Sequence, residues 1–296
     1  MESRSAFIVI VGRPNTGKSS LLNKLVGEKI AIISDKPQTT RTRITGILTK
    51  DNVQYVFTDT PGMHKPKTKL SEHMVSAVRE SYSGVDLALL VVDVTKKLSA
   101  SDTELANSLS QSGVPIVLLI NKIDLLTNKS ELMAIIDSYS QLADFAAVIP
   151  LSVIKSDGID LVWDEINAHT IVGPHYFPDD ALTDQPEKVV AAELLREQML
   201  RLLNQEVPHG IAITIEKMRE REDKPIMDID AVIYCERSSH KGIVIGKNGA
   251  MLKLIASNAR NEMEMFFNVK INLQCWVKVK EDWRNKEGMI KNFGLS

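Results

Sequence analysis

Eight residues, Gly12-Arg13-Pro14-Asn15-Thr16-Gly17-Lys18-Ser19, restrict what this chain can fold into more than any other stretch. They read G-x-x-x-x-G-K-S, a pattern whose glycines let the backbone turn so that successive N–H groups face one point. An apolar run, Phe7 to Val11, precedes them, and a helix-patterned stretch, Ser20 to Val26, follows. Strand, loop and helix in that order place an anion at the helix N-terminus, where the peptide dipoles add partial positive charge. The natural occupant of the cradle from Gly12 to Ser20 is a nucleoside polyphosphate. Lys18 then reaches the β- and γ-phosphates, and the Ser19 hydroxyl holds Mg2+.

The rest of the first half agrees with that context. Short apolar runs at Phe7–Val11, Ile44–Leu48, Tyr55–Thr58, Leu87–Val92, Ile116–Ile120 and Val148–Pro150 alternate with helical patterns. The helices are expected near Ser20–Val26, Glu72–Ser81, Asp102–Ser112, Glu131–Leu142 and Leu161–Ala168, with Ser101 and Glu104 as a capping box. Such alternation predicts an α/β domain with a mainly parallel sheet, whose ligands bind beyond the carboxyl ends of the strands. The stretch Gly173-Pro174-His175-Tyr176-Phe177-Pro178 breaks the pattern and reads as a linker. We therefore divide the chain into a first domain over 1–172, a linker over 173–185 and a smaller α+β domain over 186–296. In that last part a helix is expected over Glu187–Leu203, strands over Ile211–Glu216 and Asp230–Cys235, a helix over Met251–Phe267 and a strand over Lys270–Val279.

Composition excludes several classes. With 296 residues, 44% of them hydrophobic, the chain can bury two ordinary cores. Cys235 and Cys275 form no CxxC pair and no Cys/His spacing suited to zinc, which predicts reduced, packed thiols. No secretory leader is expected, and the apolar runs Leu87–Val92 and Val114–Ile120 are too short to cross a bilayer. A cytoplasmic protein follows, with peripheral contact at the inner membrane left open.

Two further motifs follow predicted strands. Asp59-Thr60-Pro61-Gly62 offers an acid for Mg2+ and a glycine whose N–H can approach the γ-phosphate. Asn121-Lys122-Ile123-Asp124 ends on a carboxylate with two acceptors, matching the adjacent N1–H and N2–H donors of guanine. Adenine presents an acceptor at N1, so the tetrad selects GTP over ATP. Ser152, after the last strand of this half, is placed to support the guanine O6 region through backbone contacts. Between the phosphate loop and Asp59 lies Pro37-Gln38-Thr39-Thr40-Arg41-Thr42-Arg43, a segment suited to close over Mg2+. Arg41 and Arg43 are open between charge donation to the phosphates and contact with phosphate or RNA. Met63 follows Gly62 and cannot orient water, so hydrolysis is expected to be slow or differently assisted. His64, next in sequence, is open between solvation and catalysis.

In the last part, Gly246-Lys247-Asn248-Gly249 sits between an apolar approach and a long helix. A GxxG turn there clamps nucleotide backbone in KH domains. Lys247 can neutralise a phosphate, Asn248 can bond a phosphate or base, and Lys241 and Lys253 flank the turn. From Arg237 to Lys291 there are 11 Lys and Arg against 5 Asp and Glu, a local excess of +6 hidden by the whole-chain −2. That is an electrostatic footprint for RNA. Trp276 and Trp283 are open between stacking on bases and packing.

The first three motifs resemble those of TRAFAC-class P-loop GTPases, with Ser152-Val153 where Ser-Ala is usual. Together with the PQTTR segment, the HYFPDD linker and the VIGKNG turn, they resemble the bacterial Era family, which joins a GTPase domain to a C-terminal KH domain. The resemblance implies a Mg-dependent GTPase, turning GTP and water into GDP and phosphate at a slow intrinsic rate. It implies Thr40, ahead of Thr39, as the residue that closes over the metal with Ser19 and Asp59. It implies Lys18, Asn15 and Thr40 in catalysis, with K+ held by Asn15 in some similar enzymes. It also implies a monomer that binds the 3′ end of 16S ribosomal RNA on the 30S subunit and acts in its maturation. Two other readings remain at this point: a signalling GTPase whose second domain binds protein, and a GTP-dependent RNA-modifying enzyme.

Overall fold

The computed structural model describes residues 2–63 and 66–295. Two compact units divide the chain. The first runs to Ala31, resumes over Thr40–Lys67 and again over Glu72–Asp184; the second takes in Ile32–Thr39, Thr68–Ser71 and the chain from Gln185 onward.

The first unit is built on a seven-stranded sheet. Its strands are β1 (Arg4–Val11), β2 (Ile44–Lys50), β3 (Val53–Asp59), β4 (Leu87–Asp93), β5 (Ile116–Asn121), β6 (Ala147–Leu151) and the short β7 (Ile171–Val172). They lie in the order β2-β3-β1-β4-β5-β6, with β7 beside β1. Pairing is parallel from β3 to β6; β2 is antiparallel to β3, and β7 to β1. A sheet covered on both faces needs strands that are apolar on both faces. β4 and β5, LALLVVD and IVLLIN, are buried at every position. The period of two sorts β1 between two cores. Ile8 and Ile10 pack with Leu21 and Leu22 of α1 (Lys18–Val26) and Val162 and Ile166 of α5 (Ile159–Ala168). Val9 and Val11 pack with Val78 of α2 (Lys69–Glu80), Leu105 of α3 (Ala100–Ser112) and Tyr139 of α4 (Lys129–Ser140).

One expected cap is corrected. The box at the start of α3 is formed by Ser99 and Asp102, not Ser101 and Glu104. Ser99 is extended at φ −129°, the helix begins at Ala100, and the Asp102 carboxylate accepts the Ser99 N–H at 2.9 Å. Glu104 instead pairs with Arg79 at 2.8 Å.

The second unit carries a three-stranded sheet ordered β10-β9-β8, of β8 (Ile211–Glu220), β9 (Ile226–Cys235) and β10 (Lys270–Val279). β10 runs parallel to β9, and β8 antiparallel to it with a bulge between Ile215 and Lys217. Helices α6 (Glu187–Leu202), α7 (Ser238–Ile245) and α8 (Ala250–Phe267) cover one face, burying Leu194, Met199, Val244, Ile255 and Met263 against Ile213, Ile229 and Ile233. β8 runs four residues past its apolar run, on a polar end (Lys217, Arg219, Glu220) held by pairing rather than burial, and β9 begins four residues earlier than its run, at Ile226, with Ile229 buried in the core. Both cysteines are reduced, and burial pushes Cys235 up to about 11 and Cys275 up to about 12.

Trp283 settles as packing: it is fully buried, its Nε1 donates to the Gly210 carbonyl at 2.9 Å, and it meets the Phe293 ring edge-on beside α9 (Glu287–Asn292). Trp283→Ala is expected to cost about 3–5 kcal/mol, the usual cost of an emptied aromatic site. A urea melt of the variant with an unchanged midpoint would show that this corner contributes nothing to the second unit.

Candidate functional site

The strand ends of the first unit bring the motifs to one edge, as parallel topology requires. Gly17 caps α1 at φ +103°, and a Cβ there would fall 2.2 Å from Asn121 Nδ2. Only glycine allows that approach. It lets the Asn121 carboxamide donate to the Thr16 carbonyl at 2.8 Å. Lys18 is buried, with Nζ donating to the Arg13 carbonyl at 2.9 Å. Burial pushes Lys18 down to about 8 despite the neighbouring Asp59 charge. Burial likewise raises Asp59, outweighing Lys18 and the hydroxyls that bond it. The ammonium and the carboxylate therefore each carry a desolvation penalty that a polyanion with its cation relieves.

Around Asp59 the oxygens converge. Ser19 Oγ donates to Asp59 Oδ2 at 2.6 Å, and Thr40 Oγ1 stands 3.0 Å from Ser19 Oγ and 3.3 Å from Asp59 Oδ2. Asp59 Oδ1 is buried without a hydrogen-bond partner among the described residues. Two hydroxyls and a carboxylate with an unspent oxygen suit a hard cation that keeps several waters, as Mg2+ does. Thr39, the other candidate, turns its hydroxyl to the Lys36 carbonyl at 2.6 Å. Gly62 presses on the loop from the far side: a Cβ there would lie 2.5 Å from Pro14 N. Met63 is buried in the core under the sheet and donates its N–H to the Gly12 carbonyl at 3.1 Å. His64 lies outside the described residues.

Asn121 organises the opposite end. Besides Thr16, its Oδ1 accepts from the Lys122 N–H at 2.8 Å and the Val153 N–H at 3.2 Å. Lys122 Nζ donates to the Asn15 carbonyl at 2.7 Å and to Asp93 at 2.6 Å. Burial works against the Asp93 charge, but bonds from Lys122 and Thr95 outweigh it and hold the carboxyl low. Ser152 spends its N–H on the Asp157 carbonyl and directs its hydroxyl to Asp124 Oδ1 at 2.5 Å. The Ser152 hydroxyl orients the exposed carboxylate of Asp124, a side-chain contact beside the backbone support expected at guanine O6.

In the second unit, Gly246-Lys247-Asn248-Gly249 joins α7 to α8, with Lys247 and Asn248 exposed and Asn248 left-handed at φ +52°. Lys253 is exposed one turn into α8, and Lys241 is half-buried on α7. Further along, Lys253, Ser257 and Arg260 of α8 and Asn272 of β10 line a hollow of about 210 Å³. Trp276 projects from the face of β10 opposite the core, 45% exposed, and is the tryptophan free to stack.

Comparison with known proteins decides what this arrangement belongs to. The model for the 50S ribosome-binding GTPase family matches residues 7–122, and the KH domain model matches 206–284. GTPase Era from Clostridioides difficile strain 630 is 53% identical over 293 residues, 99% of each chain. GTPase Era from Ruminiclostridium cellulolyticum is 51% identical over 99% of this chain and 98% of its own. This chain belongs to the Era GTPase family. It is a GTPase with a C-terminal KH domain. The fold of an Aquifex aeolicus Era solved with GDP·AlF4− covers 99% of both chains at 34% identity and a TM-score of 0.95. The same values hold for an Era structure containing MgGDPNP and nucleotides 1506–1542 of 16S ribosomal RNA.

Several residues of the chain leave no trace in its motifs. Asp93 is the last residue of β4 and fixes Lys122, but a lone Asp at the end of an apolar strand carries no local pattern. Within the second unit, the chain over 33–39 is held by α6. Glu197 accepts the Ile33 N–H at 3.0 Å, Lys36 donates to the Leu200 and Leu203 carbonyls, and Arg196 donates to the Thr39 carbonyl. Nothing local in sequence links positions so far apart. The Gly62 contact generates a test. Gly62→Ala is expected to displace Pro14 and weaken GDP binding by about tenfold or more, since phosphate cradles tolerate little displacement. Titration with a fluorescent GDP checks it, and unchanged affinity would mean the loop absorbs the methyl group.

Proposed function

We propose that this chain is a GTP-driven switch that binds the 3′ region of 16S ribosomal RNA and acts in maturation of the 30S subunit. The observation that carries the reading is its match, over 99% of both chains, to an Era solved with MgGDPNP and 16S nucleotides together. The reading takes 1–172 as the GTPase domain, 173–185 as linker and 186–296 as the RNA-binding domain, acting as a monomer.

In the nucleotide site, Gly12 to Ser20 cradle the phosphates, with Arg13, Pro14, Asn15, Thr16 and Gly17 contributing backbone. Lys18 turns from the Arg13 carbonyl to the β- and γ-phosphates. Ser19, Thr40 and Asp59 hold Mg2+, which when bound neutralises charge on the phosphate oxygens. Gly62 offers its N–H to the γ-phosphate. Asn121, Lys122, Asp124, Ser152 and Val153 form the guanine end. With Met63 in the core, water positioning falls to other groups, and Asn15 is placed in the loop to recruit K+ as an added positive charge. On the RNA side, Lys241, Gly246, Lys247, Asn248, Gly249 and Lys253 clamp the backbone of a single strand.

In a switch of this kind the nucleotide state sets the affinity for RNA. Thr40 answers to the metal through Ser19 and Asp59. Linkage makes such coupling reciprocal. Among the described residues no helix is long and apolar enough to cross a membrane. We place the protein in the cytoplasm, with its basic KH surface available to ribosomal RNA and peripheral contact at the inner membrane as a secondary site.

Two expected outcomes test the two halves separately. Asp124→Asn exchanges an acceptor for a donor, so GTP affinity should fall by about 100-fold or more while xanthosine triphosphate gains. Unchanged GTP affinity in a competition assay would refute the guanine assignment. Gly249→Asp enters open space at φ +76° and sets a negative charge beside the RNA phosphates. It should weaken binding of a 16S 3′-end oligonucleotide about tenfold with GTP binding intact, whereas Gly249→Asn, neutral and tolerant of that backbone, should lose little. Equal RNA affinity in all three proteins would remove the loop from the clamp.

A further inference from the structure

We propose that Asp102, at the start of α3, is a positioning residue of the phosphate loop, acting through the side chain of Arg13. Arg13 NH1 donates to Asp102 Oδ2 at 3.0 Å and to the Lys97 carbonyl at 3.3 Å, across 89 and 84 residues of sequence. The Asp102 side chain is 1% exposed and that of Arg13 21%. The guanidinium therefore anchors the loop to α3.

The anchor falls at a sensitive point. The Arg13 carbonyl is the atom that accepts from Thr16 Oγ1 at 3.1 Å and from Lys18 Nζ at 2.9 Å. Where the Arg13 main chain sits thus decides where the phosphate-binding lysine starts. Two other loop residues are pinned from outside, Thr16 through its carbonyl by Asn121 and Asn15 through its carbonyl by Lys122. Both of those pins come from the guanine end. Arg13 is the corresponding pin on the opposite side, supplied by a helix that carries none of the nucleotide motifs.

Asp102 is itself rigid. Its Oδ2 also accepts from the Ser99 N–H at 2.9 Å and the Ser99 hydroxyl at 2.8 Å, and Tyr139 of α4 packs beside it, its phenol pushed up by burial and by the Asp102 charge. The helix cap is complete without Arg13, so the ion pair adds little that α3 needs for its own termination. What it adds is a fixed reference for a loop whose backbone N–H groups must stay aimed at one point. Pre-organised donors gain their strength from not having to reorganise when the ligand arrives.

The inference rests on the assignment of Gly12–Ser20 as the phosphate cradle. The test uses the full-length protein and steady-state GTP hydrolysis, with Mg·GDP titration in parallel. Asp102→Asn keeps an oxygen for the Ser99 N–H and removes the charge that holds Arg13; Arg13→Gln removes the same bond from the loop side. Each is expected to raise KM for GTP and weaken GDP about five- to twentyfold, with kcat changed less than about twofold, because the pin serves ground and transition states alike. The double variant should be no worse than the more impaired single, since both remove one interaction. Leu109→Val, a core change in the same helix, should lower the melting temperature and leave KM alone. Wild-type KM in either single variant, or fully additive losses in the double, would overturn the proposal. If Asp102→Asn fails to fold, Arg13→Gln, at a partly exposed position, decides the question. Wild-type protein with no GDP affinity would overturn the phosphate-site reading instead.

Discussion

One buried carboxamide, that of Asn121, ties together the loops on which the nucleotide site depends. It donates to the phosphate loop at Thr16 and accepts from Lys122 and from Val153. Each partner lies after a different strand, so the bonds set the mutual spacing of the phosphate end and the base end. The spacing is possible only because Gly17 has no side chain where the carboxamide passes. A bond network of this kind, buried and satisfied, fixes geometry more than it adds net stability. Its value is that the loops need not be ordered when a ligand binds.

The sheet makes this network reachable. β1, β3, β4, β5 and β6 all run in the same direction and end on the same edge. At or just past their carboxyl ends β3, β4, β5 and β6 present Asp59, Asp93, Asn121 and Ser152. The last buried positions of the strands are therefore also the first residues of the site. That economy explains why Lys18 and Asp59 are both buried and both shifted against their charges. They sit at the boundary between the core and the ligand, and the low dielectric that makes them costly alone makes them strong toward a polyphosphate with its metal.

The sequence-readable part of this molecule is what repeats locally or depends on neighbouring residues. Continuous apolar runs mark β4 and β5, turn residues mark the loops, and the G-x-x-x-x-G-K-S, D-x-x-G and N-K-x-D spacings follow from phosphate, metal and base chemistry. The polar end of β8 is not legible because it is held by pairing across the sheet, and the start of β9 is not legible because Asp228 interrupts its apolar residues. β7, two residues long, has no period at all. The Ser99–Asp102 cap was misplaced by two residues because Ser101 and Glu104 satisfy the same local pattern, and only the extended backbone at Ser99 chooses between them. Asp93, Asp102, Arg196 and Glu197 stayed hidden for a common reason: each acts on a residue tens of positions away.

The charge pattern shows how two chemistries share one chain. A whole-chain balance of −2 suggests indifference to nucleic acid, yet +6 accumulates between Arg237 and Lys291. Within that stretch Lys247 and Lys253 are exposed at the turn and in the first turn of α8, and Arg260 lies farther along the same helix. In the nucleotide site the cation is handled in the opposite way. Lys18 is buried beside Asp59 and burial lowers it to about 8, so its charge gains most from a ligand that offsets the lost solvation. Exposed lysines track a flexible strand by long-range, salt-sensitive attraction, and a buried lysine reads one phosphate group at close range. The two sites therefore differ in the dielectric around their lysines more than in the residues themselves, and a rise in ionic strength acts on the second domain well before it reaches the first.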